Sequence, residues 1–164
     1  MARCLIIGCG CRGLALATEL IAAGHAVRGT TRDPRRAGEL ETAGVEPFVA
    51  DPDRIATLTR GFDHVGVACL LLGSATGSAQ QLQALHGTRL EMLLTRMIDT
   101  TARGVVYECT GSVDDAVLRA GAARVRAACE RSLIPYVLLD VDPDKHAVWL
   151  QAACAAVQRV LSGP

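Results

Sequence analysis

Gly8, Gly10 and Gly13, in the run Gly8-Cys9-Gly10-Cys11-Arg12-Gly13, carry the first chemical signal of this sequence. The spacing G-x-G-x-x-G suits a backbone that turns sharply off a strand and then lets a pyrophosphate come close. Gly8 permits the tight turn, Gly10 the close approach, and Gly13 the packing of a following helix against a sheet. A helix that starts here aims unpaired N–H groups and the positive end of its dipole at the anion. The whole run, Gly8, Cys9, Gly10, Cys11, Arg12 and Gly13, is therefore a candidate dinucleotide-binding turn.

A second group of residues bears on which dinucleotide. About 20 residues beyond such glycines, an NAD site usually offers Asp or Glu to the ribose 2′-hydroxyl. Here Thr31 stands there, followed by Arg32, with Arg35 and Arg36 one turn further on. A carboxylate repels a 2′-phosphate, whereas a hydroxyl and guanidinium groups hydrogen-bond it with charge assistance. The expected cofactor is NADP(H), with NAD less favoured, held in part by Thr31, Arg32 and Arg36. Arg35 and Arg36 read equally well as solvated helix charges. Asp33 is the acidic residue against this assignment, although Asp33-Pro34 also has the form of a helix cap with proline in the first turn.

These residues need elements to position them, and the apolar pattern supplies an alternation. Strands are expected at 4–7, 25–31, 45–50, 64–72, 104–109 and 134–139. Helices are expected from Leu14 onward, at 34–43, 54–60, 80–100 with a break near Gly87, 114–131 and 144–161. Strands alternating with helices predict an α/β fold, a single doubly wound Rossmann domain with a parallel sheet of about six strands in the order 3-2-1-4-5-6. In such a sheet the ligand lies outside the strand C-termini at the switch point between the first and fourth strands. Leu72, Gly73 and Ser74, at the end of the fourth strand, are then candidates to line the nicotinamide side, or else form an ordinary turn.

The totals narrow the field. With 164 residues the chain fits one domain and leaves little room for a separate substrate domain. Seventeen basic residues balance 17 acidic ones, so no nucleic-acid or acidic-membrane surface is implied. No apolar run reaches the length of a membrane span. Seven cysteines, an odd number without a C-x-x-C pair, do not form a disulfide framework, and a cytoplasmic location is expected. Cys9 and Cys11 lie where a helix start can lower a thiol pKa, which admits a redox-sensing role beside plain turn-lining. Asp140-Val141-Asp142-Pro143-Asp144-Lys145-His146 lacks the glycine and distal Glu of a calcium loop, so a solvated loop before the last helix is expected and no metal site. Of the histidines only His86 falls near the crevice, and no acid/base role is expected of it.

The glycine turn, Ala23-Gly24-His25, Thr31-Arg32-Asp33-Pro34, and the stretches His86-Gly87-Thr88-Arg89-Leu90 and Gly104-Val105-Val106-Tyr107 resemble atypical and extended short-chain dehydrogenase/reductases, the NADP-using branch in particular. The resemblance runs to about residue 140. It implies an NAD(P)-dependent oxidoreductase acting on an unidentified small molecule. Its glycine spacing is one residue shorter than the family's usual G-x-x-G-x-x-G. The family's catalytic Y-x-x-x-K pair is also missing: four residues after Tyr107 stands Gly111, four after Tyr136 stands Asp140, and the only lysine is Lys145. What remains is Ser112, where the family's catalytic serine would stand, which reads more readily as a turn or cap residue. Two further readings stay open: a non-catalytic NADP(H)-binding or redox-sensing module, and a truncated relative of the β-hydroxyacid dehydrogenases. As an enzyme, the chain would need a shallow pocket or one completed by a second subunit, as in a homodimer, across Gly73 to Gly77.

Overall fold

A computed structural model describes residues 1–163. Six strands, β1 (Arg3–Ile7), β2 (Ala26–Thr31), β3 (Glu46–Val49), β4 (Val67–Leu70), β5 (Gly104–Glu108) and β6 (Tyr136–Leu139), form one sheet in the order β3-β2-β1-β4-β5-β6. Every pairing is parallel. Six α-helices connect or follow them: α1 (Cys11–Ala22), α2 (Ala37–Thr42), α3 (Ala79–Leu85), α4 (Thr88–Ile98), α5 (Asp115–Arg131) and α6 (His146–Ser162), with α3 and α4 both between β4 and β5. The expected α/β architecture and strand order are both present.

The strands are apolar throughout because helices cover both faces of the sheet. In β1, Cys4 and Ile6 pack toward Leu16 and Leu20 of α1 and Trp149 and Val157 of α6. Leu5 and Ile7 point the other way, toward Leu90 and Leu94 of α4 and Val125 of α5. The two-residue period of the strand thus feeds two cores at once. Since β1 leads to α1 on one face and β4 leads to α3 on the other, the sheet opens a crevice between their C-terminal ends.

Several expected boundaries shift. Residues 54–60 form not an α-helix but a 3₁₀-helix, Ile55–Phe62. Its end is held from β2, where the buried Arg28 guanidinium donates to the carbonyl oxygens of Gly61 (2.7 Å) and Asp63 (3.1 Å). The fourth strand is shorter than 64–72, because His64 takes a left-handed φ of +61° and the chain turns there. Leu133, at φ +54°, likewise delays the sixth strand to Tyr136. The break expected near Gly87 is present, with α3 ending before it and α4 starting after it.

Candidate functional site

Gly8 leaves β1 at φ +86°, a left-handed conformation suited to glycine, and a Cβ there would collide with the Leu71 carbonyl oxygen. Gly13 lies in the first turn of α1, where a Cβ would sit 3.2 Å from the Gly8 carbonyl oxygen and 3.3 Å from Ile6 Cγ2. Both glycines are explained by the chain itself. Gly10 is different. Its φ of −83° is open to any residue, and a Cβ there would meet nothing within 4 Å. It is the N-cap of α1, and no side chain at that position caps the first N–H groups of the helix.

These residues border a cleft of about 450 Å³. Gly8, Cys9, Gly10, Cys11, Arg12, Gly13, Thr31, Arg32, Arg36, Leu72 and Ser74 all line it. Two of the sequence candidates do not. Gly73 is turned inward, its N–H donating to Glu108 Oε1 at 2.9 Å. Ser112 is exposed and lends its backbone N–H to Ser74 Oγ at 3.3 Å, while Asp114 caps α5. Sequence reasoning missed Ala50, Pro52 and Asp53, which line the cleft from the end of β3. The rule that ligands lie beyond strand C-termini, applied to the third strand, would have found them.

The charges around the cleft are sorted by pairing. Asp33 accepts from the Arg35 backbone N–H and side chain at 3.0 to 3.2 Å, and these contacts hold its carboxyl below the usual range. Arg36 pairs with Glu39 at 2.9 Å and donates to the Cys9 carbonyl oxygen at 3.1 Å, which ties the region after β2 to the glycine turn. Arg32 lines the cleft, exposed, with neither hydrogen bond nor ion pair among the described residues. Burial pushes the Cys9 thiol up to about 11, whereas Cys11 is exposed.

Beyond the cleft, β5 ends in a fully buried carboxylate. Glu108 accepts from the Gly73 N–H, from Trp149 Nε1 at 3.0 Å, and from Arg12 at 3.4 Å. Burial raises its pKa, against the pull of Arg12 and the two N–H donors. The Arg12 guanidinium also lies over the Trp149 ring, 5.5 Å from its centroid. His86 is buried with Nδ1 2.6 Å from the Tyr107 hydroxyl and Nε2 3.0 Å from the Leu72 carbonyl oxygen. A carbonyl only accepts, so Nε2 carries the proton and the tyrosine donates to Nδ1. Both groups are occupied inside the fold. In the loop before α6, Asp142 accepts the Asp144 N–H at 2.9 Å, and no metal-binding group of His, Cys, Asp and Glu occurs among the described residues.

No protein-family model and no curated protein matches the sequence. Solved structures do match in shape. A candidate NAD-dependent epimerase/dehydratase from Bacillus halodurans superposes with TM-score 0.72 at 16% identity, over 87% of this chain and 71% of that one. A short-chain dehydrogenase/reductase superfamily protein from Agrobacterium tumefaciens with bound NAD gives 0.68 at 18% identity, over 83% and 48%. The triphenylmethane reductase of Citrobacter sp., complexed with NADP(H), gives 0.64 at 18%, over 84% and 48%. The chain spans about half the length of the latter two. The likeness is one of fold: this chain has a Rossmann fold.

Proposed function

We infer that this chain binds NADP(H). The observation that carries the reading is Gly10: neither its backbone conformation nor its surroundings in the protein call for glycine. A ligand backed against the bare peptide at the start of α1 does. The residues fit the adenosine end of a dinucleotide. The glycine turn and α1 N-terminus would take the pyrophosphate, Ala50, Pro52 and Asp53 would border the adenine side, and Thr31 and Arg32 would meet the ribose. NADP is favoured over NAD because Arg32 is a cation without a partner, while the carboxylate of Asp33 is engaged by Arg35.

When bound, the cofactor supplies a hydride donor or acceptor, which makes an oxidoreductase role the counterpart of the neighbouring reductases. The second reading, a non-catalytic binding module, is favoured by a specific observation. Among the described residues, no Tyr, Lys or His side chain lines the cleft. The tyrosine and lysine that would transfer the proton in short-chain dehydrogenase/reductase chemistry thus have no counterpart on its walls, whose titratable groups besides arginine are Cys9, Cys11, Asp33 and Asp53.

Calorimetric titration with NADPH and NADH tests the reading. NADPH should bind at least about tenfold more tightly, a difference of about 1.4 kcal/mol. Arg32→Ala should weaken NADPH by about 1 to 3 kcal/mol and leave NADH nearly unchanged, the cost of a hydrogen bond to a charged group. Gly10→Asp should leave the melting temperature within a few degrees, because aspartate is itself a good N-cap, yet abolish NADPH binding. Retained binding in Gly10→Asp would refute the assignment.

A further inference from the structure

One carboxylate of this fold is fully buried and shares its cation with the cleft. Glu108, the last residue of β5, has no exposed surface. Its Oε2 accepts from Trp149 Nε1 at 3.0 Å, and its Oε1 accepts from the Gly73 N–H at 2.9 Å and from Arg12 at 3.4 Å. Among the described residues Arg12 is its only ion-pair partner. A carboxylate taken out of water stays ionised only with such partners, because losing hydration disfavours the charge.

Arg12 belongs equally to the cleft. It stands in the first turn of α1, lines the cleft, and keeps 29% of its side chain exposed. The only hydrogen bond of its guanidinium among the described residues is the long one to Glu108, and Nε is buried without a partner. Donors of the group are therefore unspent, while the Trp149 ring beneath it keeps it between β5 and the glycine turn. Glu108 does not line the cleft, so a ligand there acts on it through Arg12. None of its other neighbours supplies a counter-charge. Tyr107 and Cys109, on either side of it, are neutral acids whose pKa values burial raises, that of Cys109 to about 11. His86, bonded to Tyr107, is neutral, and Asp140, which acts on Cys109, adds only negative charge.

We propose that Glu108 is a positioning residue that holds Arg12 at the cleft, and that it takes up a proton from solvent when the pyrophosphate of a dinucleotide engages Arg12. The proposal rests on the NADP(H)-binding reading and adds a regulation to it, binding favoured by acid. A pyrophosphate on the glycine turn brings negative charge beside a guanidinium that Glu108 otherwise has to itself. Two anions around one cation disfavour each other's ionised form, and the pyrophosphate is far too strong an acid to take the proton, so the carboxyl does. Burial already favours the neutral form of Glu108, against the pull of Arg12. A group whose pKa rises on binding gains protons on binding. Affinity is then highest below the pKa of Glu108 in the free protein and falls as pH rises through its pKa in the complex.

The test is calorimetric titration of the intact protein with NADPH, from about pH 5 to pH 8 in buffers of different ionisation enthalpy, which counts protons taken up per ligand bound. The 2′-phosphate of NADPH titrates near about pH 6 in any variant, so the difference between wild type and Glu108→Gln isolates the carboxyl. Wild type should take up about 0.3 to 1 proton more than Glu108→Gln at the pH of greatest difference, and its affinity should fall about threefold or more further across the range. Arg12→Gln should lose the extra uptake too, since without its cation Glu108 is neutral before the ligand arrives. Wild type alone gives a second readout, because its infrared difference spectrum should gain the C=O band of a protonated carboxyl when NADPH is added. Equal proton uptake in wild type and Glu108→Gln would overturn the proposal while leaving NADP(H) binding intact. Should Glu108→Gln not fold, absence of that infrared band in wild type across the pH range overturns it as well. A wild-type protein that binds no NADPH would remove the NADP(H) reading itself, and this inference with it.

Discussion

At the scale of single residues, the chain's two most chemically suggestive side chains, His86 and Tyr107, are engaged with each other. The Tyr107 hydroxyl donates to Nδ1, and Nε2–H donates to the Leu72 carbonyl oxygen, so the imidazole is held neutral. Burial lowers its pKa from the ordinary 6.5, against a smaller upward pull from the Leu72 carbonyl. A base whose folded pKa is depressed contributes stability above its unfolded pKa, and that contribution is lost as pH falls through the folded value. Unfolding free energy should therefore fall below pH 6.5, with His86 contributing a slope of up to about 1.4 kcal/mol per pH unit. Urea denaturation at pH 7 and pH 5 measures it. His86→Gln, which keeps a polar side chain but does not titrate, should flatten this part of the slope. An unchanged slope in the variant would show that other groups set the acid limit.

At the scale of elements, β5 and α5 meet where a glycine is required by a neighbour. A Cβ on Gly121 would collide with the Tyr107 hydroxyl, so α5 approaches β5 only because that position is bare. Gly121→Ala should destabilise the fold by about 1 to 3 kcal/mol, the usual cost of overpacking. Because it displaces the tyrosine from His86, it should also reduce the acid slope, which a purely local strain would leave intact. The contrast between elements also explains what could be read in advance. The alternation of buried strands and helices was legible because continuous apolar runs such as Val105-Val106-Tyr107 have one reading in a parallel sheet. The helix type at Ile55–Phe62 was not, because its last carbonyls are capped by Arg28, a strand residue more than 30 positions away in sequence. The glycine turn is a local motif and announces itself. The cluster around the buried Glu108 joins Arg12 to it across 96 positions and Trp149 across 41, and no spacing rule connects such residues.

At the scale of the whole molecule, the seven cysteines sample the fold from surface to centre and report its cooperativity. Cys11 is exposed at the cleft; Cys109 and Cys154 are half-buried; Cys4, Cys9, Cys69 and Cys129 are buried. Burial pushes Cys4, Cys9 and Cys129 up to about 11, and raises Cys69 well above its ordinary value. The thiolate is the reactive form, so at pH 8 these four are protected by position and by protonation together. An aromatic disulfide reagent should modify Cys11 first, Cys109 and Cys154 more slowly, and the four buried thiols only at the rate set by opening of the structure. Those four lie on two strands, in the glycine turn and in α5, with Cys4, Cys9 and Cys69 in one core and Cys129 in the other. If both faces of the sheet unfold as one unit, all four should react with a single rate constant, as expected for a cooperative domain of this size. Two separated rates, with Cys129 apart from the other three, would show that the helices on one face of the sheet open independently of those on the other.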